Sequence, residues 1–512
     1  MASPAGNSSS AVARPPITLD DLPPSLLLRI ISFLPTLDAI QTTLISPAFL
    51  DLWTSLPSLS FDFSLFLPPC DTPSQTLRAF SDFATRALLL RHPPSSSSPL
   101  RSLHLRLDSA THLLPYRRHI DSWIHYAVAH DVESLSLTFS SKYLRQFQNE
   151  TTDPYYYPFP LPLLRNGSVR SLHLKHCNLD VPRNRSRTRL CESLASIDFV
   201  QVYLTDEMIS DLVAGCLNIE SLTIRQCHGM KDFKISSASL KRLDLWQFRC
   251  DEGSVEIRAP NLSNLSMFFF EVGEYVMEDS SAVEEADVTC ISMVENYRYW
   301  IKIVRLLSHV KRFHVQNWWY KAVVSKDCLP ESFVFHNLNY LRINMEYTKA
   351  DMVGIAVLLE LSPKLGTMIL DRELRINEEI FGARISEEFK RINFNLPSLR
   401  HLKLNCYWGT MDELHFLRLV LKSEVVLERI VLHPVRLDQN SVIPIVLVKR
   451  TQGFQVVQGS FPGPKLHFTS AASAMHPQSE TYQGLEIMVF TEHTNHNKAQ
   501  SSWVRKLFTI QG

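Results

Sequence analysis

The sequence predicts an α/β solenoid preceded by a compact three-helix unit. Three observations carry that expectation. About 70 of the 512 residues are leucine and only 15 are glycine, which favours helices or a leucine-built repeat over a Gly-rich nucleotide-binding architecture. A six-residue template, apolar at positions one, four and six and mostly polar at three and five, recurs from Leu100 onward. Near the start of the chain, apolar residues repeat at three- and four-residue spacing between prolines. Length alone suggests roughly three domains, at about 150 residues each.

Residues 1–16 are rich in Ala, Ser and Pro and read as a disordered leader, with no amphipathic period and no apolar core of a signal peptide. The first helix is expected from a cap at Asp21, with Pro23 and Pro24 in its first turn. Leu26, Leu27, Ile30, Ile31 and Leu34 then recur at helical spacing, and Pro35 ends the run. A second helix is expected over 38–45, and a third from Ser46-Pro47 to Trp53. Three short helices bury little surface by themselves. Their apolar residues run nearly all the way round, the pattern of a unit completed by a partner.

Asp21-Leu22-Pro23, Leu27, Ile30-Ile31-Ser32-Phe33-Leu34-Pro35-Thr36, Asp38-Ala39, Thr42-Thr43-Leu44-Ile45-Ser46 and Leu52-Trp53-Thr54-Ser55-Leu56 closely resemble a plant F-box. The tail of that block, down to Phe61-Asp62-Phe63, is similar to plant F-box proteins with leucine-rich repeats. The resemblance implies that residues 17–60 dock on Skp1, the adaptor of a cullin-based ubiquitin ligase. It points to Leu22, Pro23, Leu27, Ile30, Ile31, Leu34, Ile40, Leu44 and Trp53 as the adaptor interface or its supporting core. In one place the chain departs from the family. Where a basic pair and a Trp usually follow the Leu-Ser step, Pro47-Ala48-Phe49 stand instead.

Residues 61–98 read as a linker with a helical piece around 77–91. Beyond it, from 99 to 435, the template begins at Leu100, Val132, Val169, Leu194, Ile219, Leu240, Leu262, Val310, Leu338, Leu365, Leu399 and Leu427. Many of these spacings lie near the 20–29 residues of leucine-rich repeats. Cys177 and Cys227 fall where such repeats place a small polar group that bonds turn backbone inside the coil. A metal reading of Cys177 with His176, or of Cys227 with His228, is poor, because adjacent side chains on a strand point to opposite faces. One repeat cannot bury its own apolar face, so neighbours stack and share a core. The longest gap holds an acidic insert, 271–297, expected as a solvated loop, with a docking lip as the alternative. Arg183, Arg185, Arg187 and Arg189 read as another solvated loop. Residues 414–432 resemble the helix-strand tail of plant FBD-type F-box proteins, and 436–512 match nothing.

No phosphate loop, GxGxxG, HExxH, GxSxG or paired zinc-ligand spacing occurs, so no catalytic residue, metal or cofactor is expected. Lys plus Arg and Asp plus Glu both total 52, which speaks against a nucleic-acid partner. No apolar run approaches the ~20 residues of a membrane span. Nine cysteines without CxxC pairs fit reduced thiols, hence a cytoplasmic or nuclear address. Strand alternation sends template positions three, five and seven outward. It nominates Lys175, Arg225, Arg242, Trp246, Phe268, Arg342 and Lys403 for target binding, with Trp246 and Phe268 as one exposed aromatic patch. The family resemblance implies a non-catalytic substrate receptor of an SCF-type ligase, linked through Skp1 to cullin and holding an unknown protein target. The alternatives are an interaction scaffold that has lost cullin assembly and a receptor for a small ligand.

Overall fold

Prolines set the starts of the first two helices. Pro23 is the N-cap of α1 (Pro24–Ile31), and no side chain caps it. Pro24 sits where the missing N–H has no intrahelical partner to lose. Helix α2 (Thr36–Gln41) follows Pro35 and tightens into a 3-10 turn over Thr42–Leu44, so the second helix is shorter than the sequence suggested. At the end of the expected third helix, the described residues form a 3-10 turn over Trp53–Ser55. Asp21 and Pro47-Ala48 lie outside the described residues, as do the leader and the Arg183–Arg189 run.

The computed structural model describes residues 22–46, 49, 51–66, 73–91, 99–108, 116–140, 157–165, 167–180, 191–246, 253–269, 274–290, 303–316, 332–347, 349–372, 398–407, 413, 416–417, 419–420, 429–434, 444–450, 454–460, 486–494 and 501–508. The chain divides into two compact units, Met1–Leu204 with Gly215–Asn218, and Thr205–Ala214 with Ile219–Gly512.

In the first unit, five parallel strands follow one another: β1 (Ser58–Asp62), β2 (Ser102–Asp108), β3 (Ser134–Ser140), β4 (Ser171–Lys175) and β5 (Ser196–Val200). Helices α3 (Pro73–Leu90) and α4 (Arg117–Ala129) cross between the first three. Register keeps the template in phase. Leu59, Leu103, Leu135, Leu172 and Ile197 stack at position four, and Phe61, Leu105, Leu137, Leu174 and Phe199 at position six. All ten are buried, which is how stacked repeats share one core. Strand β1 carries a further repeat, beginning at Leu56 inside the F-box block. It is tied to α2 by the Ser60 N–H, which donates to Thr36 Oγ1 at 2.7 Å.

The second unit continues the pattern with β6 (Ser221–Arg225), β7 (Arg242–Trp246), β8 (Asn264–Phe269), β9 (Glu285–Cys290), β10 (Arg312–Gln316), β11 (Tyr340–Met345), β12 (Thr367–Arg372), β13 (His401–Tyr407) and β14 (Arg429–Pro434), all parallel. Every template instance named from the sequence leads into a strand. Strand β15 (Glu486–Thr494) extends this sheet in parallel, and β16 (Ser501–Phe508) pairs with it antiparallel, so part of the unassigned tail is sheet.

Strand β9 corrects the acidic-insert reading. Val283, Ala286 and Val288 occupy positions one, four and six, so the long gap contains an ordinary repeat. Residues Glu274–Glu278 form a further strand, in a small parallel sheet with Phe233–Ser236 and Ser254–Arg258. Neighbouring repeats supply the segment's cationic partners. Arg258 meets Glu278 at 3.0 Å, Lys311 meets Glu284 at 2.6 Å and Arg312 meets Glu285 at 3.1 Å.

Strand ends turn through left-handed residues. His176, Gln201, Gln226 and Cys406, each at template position eight, have φ of 53–54°, a region non-glycine residues seldom occupy. The bend lets the His176 N–H donate to Val200 O at 3.0 Å and the Gln226 N–H to Trp246 O at 2.7 Å. Cys177 and Cys227 follow, buried, each Sγ lying 3.5 Å from the carbonyl of Lys175 or Arg225. This is the turn-bonding role expected of them. Burial pushes the Cys177 thiol far above its ordinary pKa, leaving it a structural group.

Candidate docking surfaces

Helix α1 presents two apolar faces. Leu27 and Ile31 point inward and are buried, together with Trp53 and Phe49. Phe49, standing near the missing Trp and basic pair, is a core residue. Leu26 and Ile30, one position earlier, project to the other side and are about half exposed. Phe33 at 78%, Leu44 at 86% and Ile45 at 73% are likewise exposed in this unit. Of the nine expected adaptor residues, Leu27, Ile31 and Trp53 are supporting core, Leu22 and Ile40 are half-buried, and Pro23, Ile30, Leu34 and Leu44 are exposed. Leu26, Phe33 and Ile45 were not among the nine. Leu26 has a sequence signal, the four-residue step through Ile30 to Leu34; Phe33 and Ile45 lie off that step.

The outward rows of the two units differ in chemistry. In the first unit, position three is serine on all five strands: Ser58, Ser102, Ser134, Ser171 and Ser196 stand in register. Lys175 is half-buried at the end of β4, and His173 Nδ1 lies 2.9 Å from Asp198 Oδ2. His104 shares the row with His173; burial, then the charge of His173, lowers its pKa.

In the second unit, the rows are charged and cross-linked. Arg225 Nη2 meets Asp244 Oδ2 at 3.0 Å. Asn264 donates to Glu285 at 2.8 Å; Arg312 meets the same carboxylate and lies 4.4 Å from the centre of the Tyr340 ring. His314 bridges Asp287 at 2.8 Å and Asn344 at 3.1 Å, and Arg342 and Asn405 converge on Asp371. A cavity of about 400 Å³ opens among these rows, lined by Arg242, Asp244, Ser266, Asp287, Arg312 and Arg342 among others.

The expected aromatic patch is corrected here. Trp246 is 39% exposed, but Phe268 is only 6% exposed, because the indole stacks on its ring at 4.3 Å with 10° between planes. Alternation alone sends both outward, and the cross-strand stack covers one with the other. Arg225, Arg242 and Arg342 are exposed and Lys403 half-buried. Among the described residues no three His, Cys, Asp or Glu gather as a metal site, and no helix is long and apolar enough to cross a membrane.

A family model described as At1g61320/AtMIF1, LRR domain, matches residues 94–450, and the F-box domain model matches 19–61. The chain belongs to the plant F-box/leucine-rich-repeat family. Its relatives include the F-box/FBD/LRR-repeat protein At2g04230 of Arabidopsis thaliana, 28% identical over 68% of this chain and 72% of that protein. The F-box/FBD/LRR-repeat protein At3g51530 of the same plant is 26% identical over 79% of this chain and 82% of that one. The F-box match covers α1 and α2, and the repeat match covers all strands from β2 to β14.

Proposed function

We propose that this F-box/leucine-rich-repeat protein is the substrate-recognition subunit of an SCF-type E3 ubiquitin ligase, itself non-catalytic. The exposed apolar surface of Leu26, Ile30, Phe33, Leu44 and Ile45 carries the reading. A small helical unit that leaves this much apolar area in water calls for a partner, and a Skp1-like adaptor is what an F-box takes. The adaptor then links to cullin, and the outward strand rows hold the protein target. Holding it near the conjugating enzyme raises effective concentration and makes no bond itself.

The test is co-purification of the full chain with Skp1 and cullin on a sizing column. A stoichiometric three-part complex is expected, and replacing Ile30, Phe33 and Leu44 together by Ser should release the adaptor while the chain stays folded. A folded chain that ignores Skp1 overturns the reading. A stable Skp1 pair that excludes cullin would leave the interaction-scaffold alternative in its place.

A further inference from the structure

The strand face of the second unit is not electrically balanced in the way its composition suggests. From β6 to β13, each carboxylate described on the outward rows is already engaged by neighbours: Asp244 by Arg225, Glu285 by Asn264 and Arg312, Asp287 by His314 and Thr289, and Asp371 by Arg342 and Asn405. The second oxygen of Asp244 has no hydrogen-bond partner, but it is closed off from the surface and offers nothing to an incoming group. Two cations stand apart. Among the described residues, neither the Arg242 side chain, at position three of β7, nor the Lys403 side chain, at position five of β13, has an ion-pair or hydrogen-bond partner. Between them lie Arg312 and Arg342, whose ion pairs involve Nε, and a guanidinium carries five N–H donors in all.

We propose that the target is held on this face through an extended acidic segment that runs across the strands from Arg242 to Lys403. This deepens the substrate-receptor reading and rests on it for the word target. The span follows from topology. Arg242 and Lys403 are six strand steps apart in the order β7, β8, β9, β10, β11, β12, β13. At about 4.8 Å per step the separation is roughly 29 Å, which an extended peptide covers with about nine residues at ~3.3 Å each. The cavity beside Ser266 lies along that path, a gap left by a short side chain among long ones. Acceptors from the segment would meet Arg242 at one end, spare guanidinium donors of Arg312 and Arg342 in the middle, and Lys403 at the other. A basic segment would have to compete for carboxylates that already hold partners within the chain, whereas the Arg242 and Lys403 side chains hold none among the described residues. The acceptors are carboxylates or phosphates, both of which suit arginine forks.

The experiment uses the full chain and fluorescent nine-residue peptide pools, with alternate positions fixed as Glu, phosphoserine, Gln or Lys and the rest randomised, read by anisotropy. At low salt the Glu or phosphoserine pool is expected to bind at least ten-fold tighter than the Gln and Lys pools. That preference should fade as salt is raised. Whichever anionic pool binds tighter assigns the acceptor. Arg242→Glu and Lys403→Glu should each weaken the anionic pool several-fold, and the pair should abolish its preference. Arg242→Gln and Lys403→Gln serve as a milder second set should the reversals disturb folding. Equal binding of Gln and anionic pools, or an anionic preference untouched by both pairs of variants, overturns the proposal. Skp1 capture by the same variants separates the two ideas. Retained capture with lost peptide binding leaves the adaptor reading standing, and lost capture with retained peptide binding removes that reading alone.

Discussion

Helix α1 and strand β7 are equally rich in apolar residues, and the two treat them in opposite ways. In β7, Leu243 and Leu245 are fully buried, because β6 and β8 place Leu222, Leu265, Ile224 and Met267 at the same heights. In α1, Leu27 and Ile31 are buried while Leu26 and Ile30 are left in water. An interior repeat strand has a copy of itself on either side, so its apolar positions are satisfied within the chain. A short helix at the edge of three helical turns has no such copy. The difference separates residues that hold the molecule together from residues that wait for a partner, and it is open to direct attack.

The largest expected effect lies on the side of the sheet, and it extends to charge. The Glu413 side chain is 1% exposed and its Oε1 meets Arg372 Nη1 at 2.9 Å, the arginine side chain being 7% exposed. Removing one partner of a buried pair leaves an uncompensated charge, at a cost of about 3–5 kcal/mol. Glu413→Ala should therefore lower unfolding stability by that amount in urea denaturation. A loss under about 1 kcal/mol would show that water reaches the site.

The comparison itself is tested by making one substitution in both regions. Leu243→Ala removes methyl groups from a closed stack, and about 2–5 kcal/mol of stability should go with them. Leu44→Ala acts at a side chain 86% exposed, and stability should change by no more than about 0.5 kcal/mol. Adaptor capture should respond in the reverse order, weakened by Leu44→Ala and, at temperatures where both chains are folded, unchanged by Leu243→Ala. Equal stability losses at the two positions would mean that Leu44 is covered within the chain.

This division was only partly legible in the sequence. Template positions one, four and six announced the sheet, since identity at fixed spacing survives whatever the loops do. Two repeats escaped for definite reasons. The Leu56 repeat overlaps the end of the F-box block, and the Val283 repeat has Ala286 at position four and is wrapped in acidic residues whose partners, Arg258, Lys311 and Arg312, lie in other repeats. Periodicity in α1 marks Leu26, Leu27, Ile30 and Ile31 as apolar without telling which pair faces the core. That is fixed by the turn Trp53–Ser55, brought against α1 from later in the chain. Phe268 is the mirror case: alternation sends it outward, and Trp246 from the neighbouring strand closes over it.

The smallest expected difference concerns pH, and it belongs to the sheet, because Leu26, Ile30, Phe33, Leu44 and Ile45 have nothing to titrate. Burial pulls the His314 pKa down, but the hydrogen bond to Asp287, the charge of that carboxylate and the bond to Asn344 outweigh it and Arg342 together, and the value is raised. A raised folded pKa means that the protonated pair stabilises the native state fully below the unfolded value, about 6.5. The contribution is lost as pH rises through the higher folded value. His314→Asn should therefore cost more stability at pH 5.5 than at pH 8.5. Asp287 is 38% exposed, so solvent screening holds the difference to on the order of 1 kcal/mol or less. Denaturation midpoints of the wild type and His314→Asn at the two pH values give it directly. A gap that stays constant with pH would mean that His314 is neutral throughout and that its bond to Asp287 is an ordinary N–H donation across the strands.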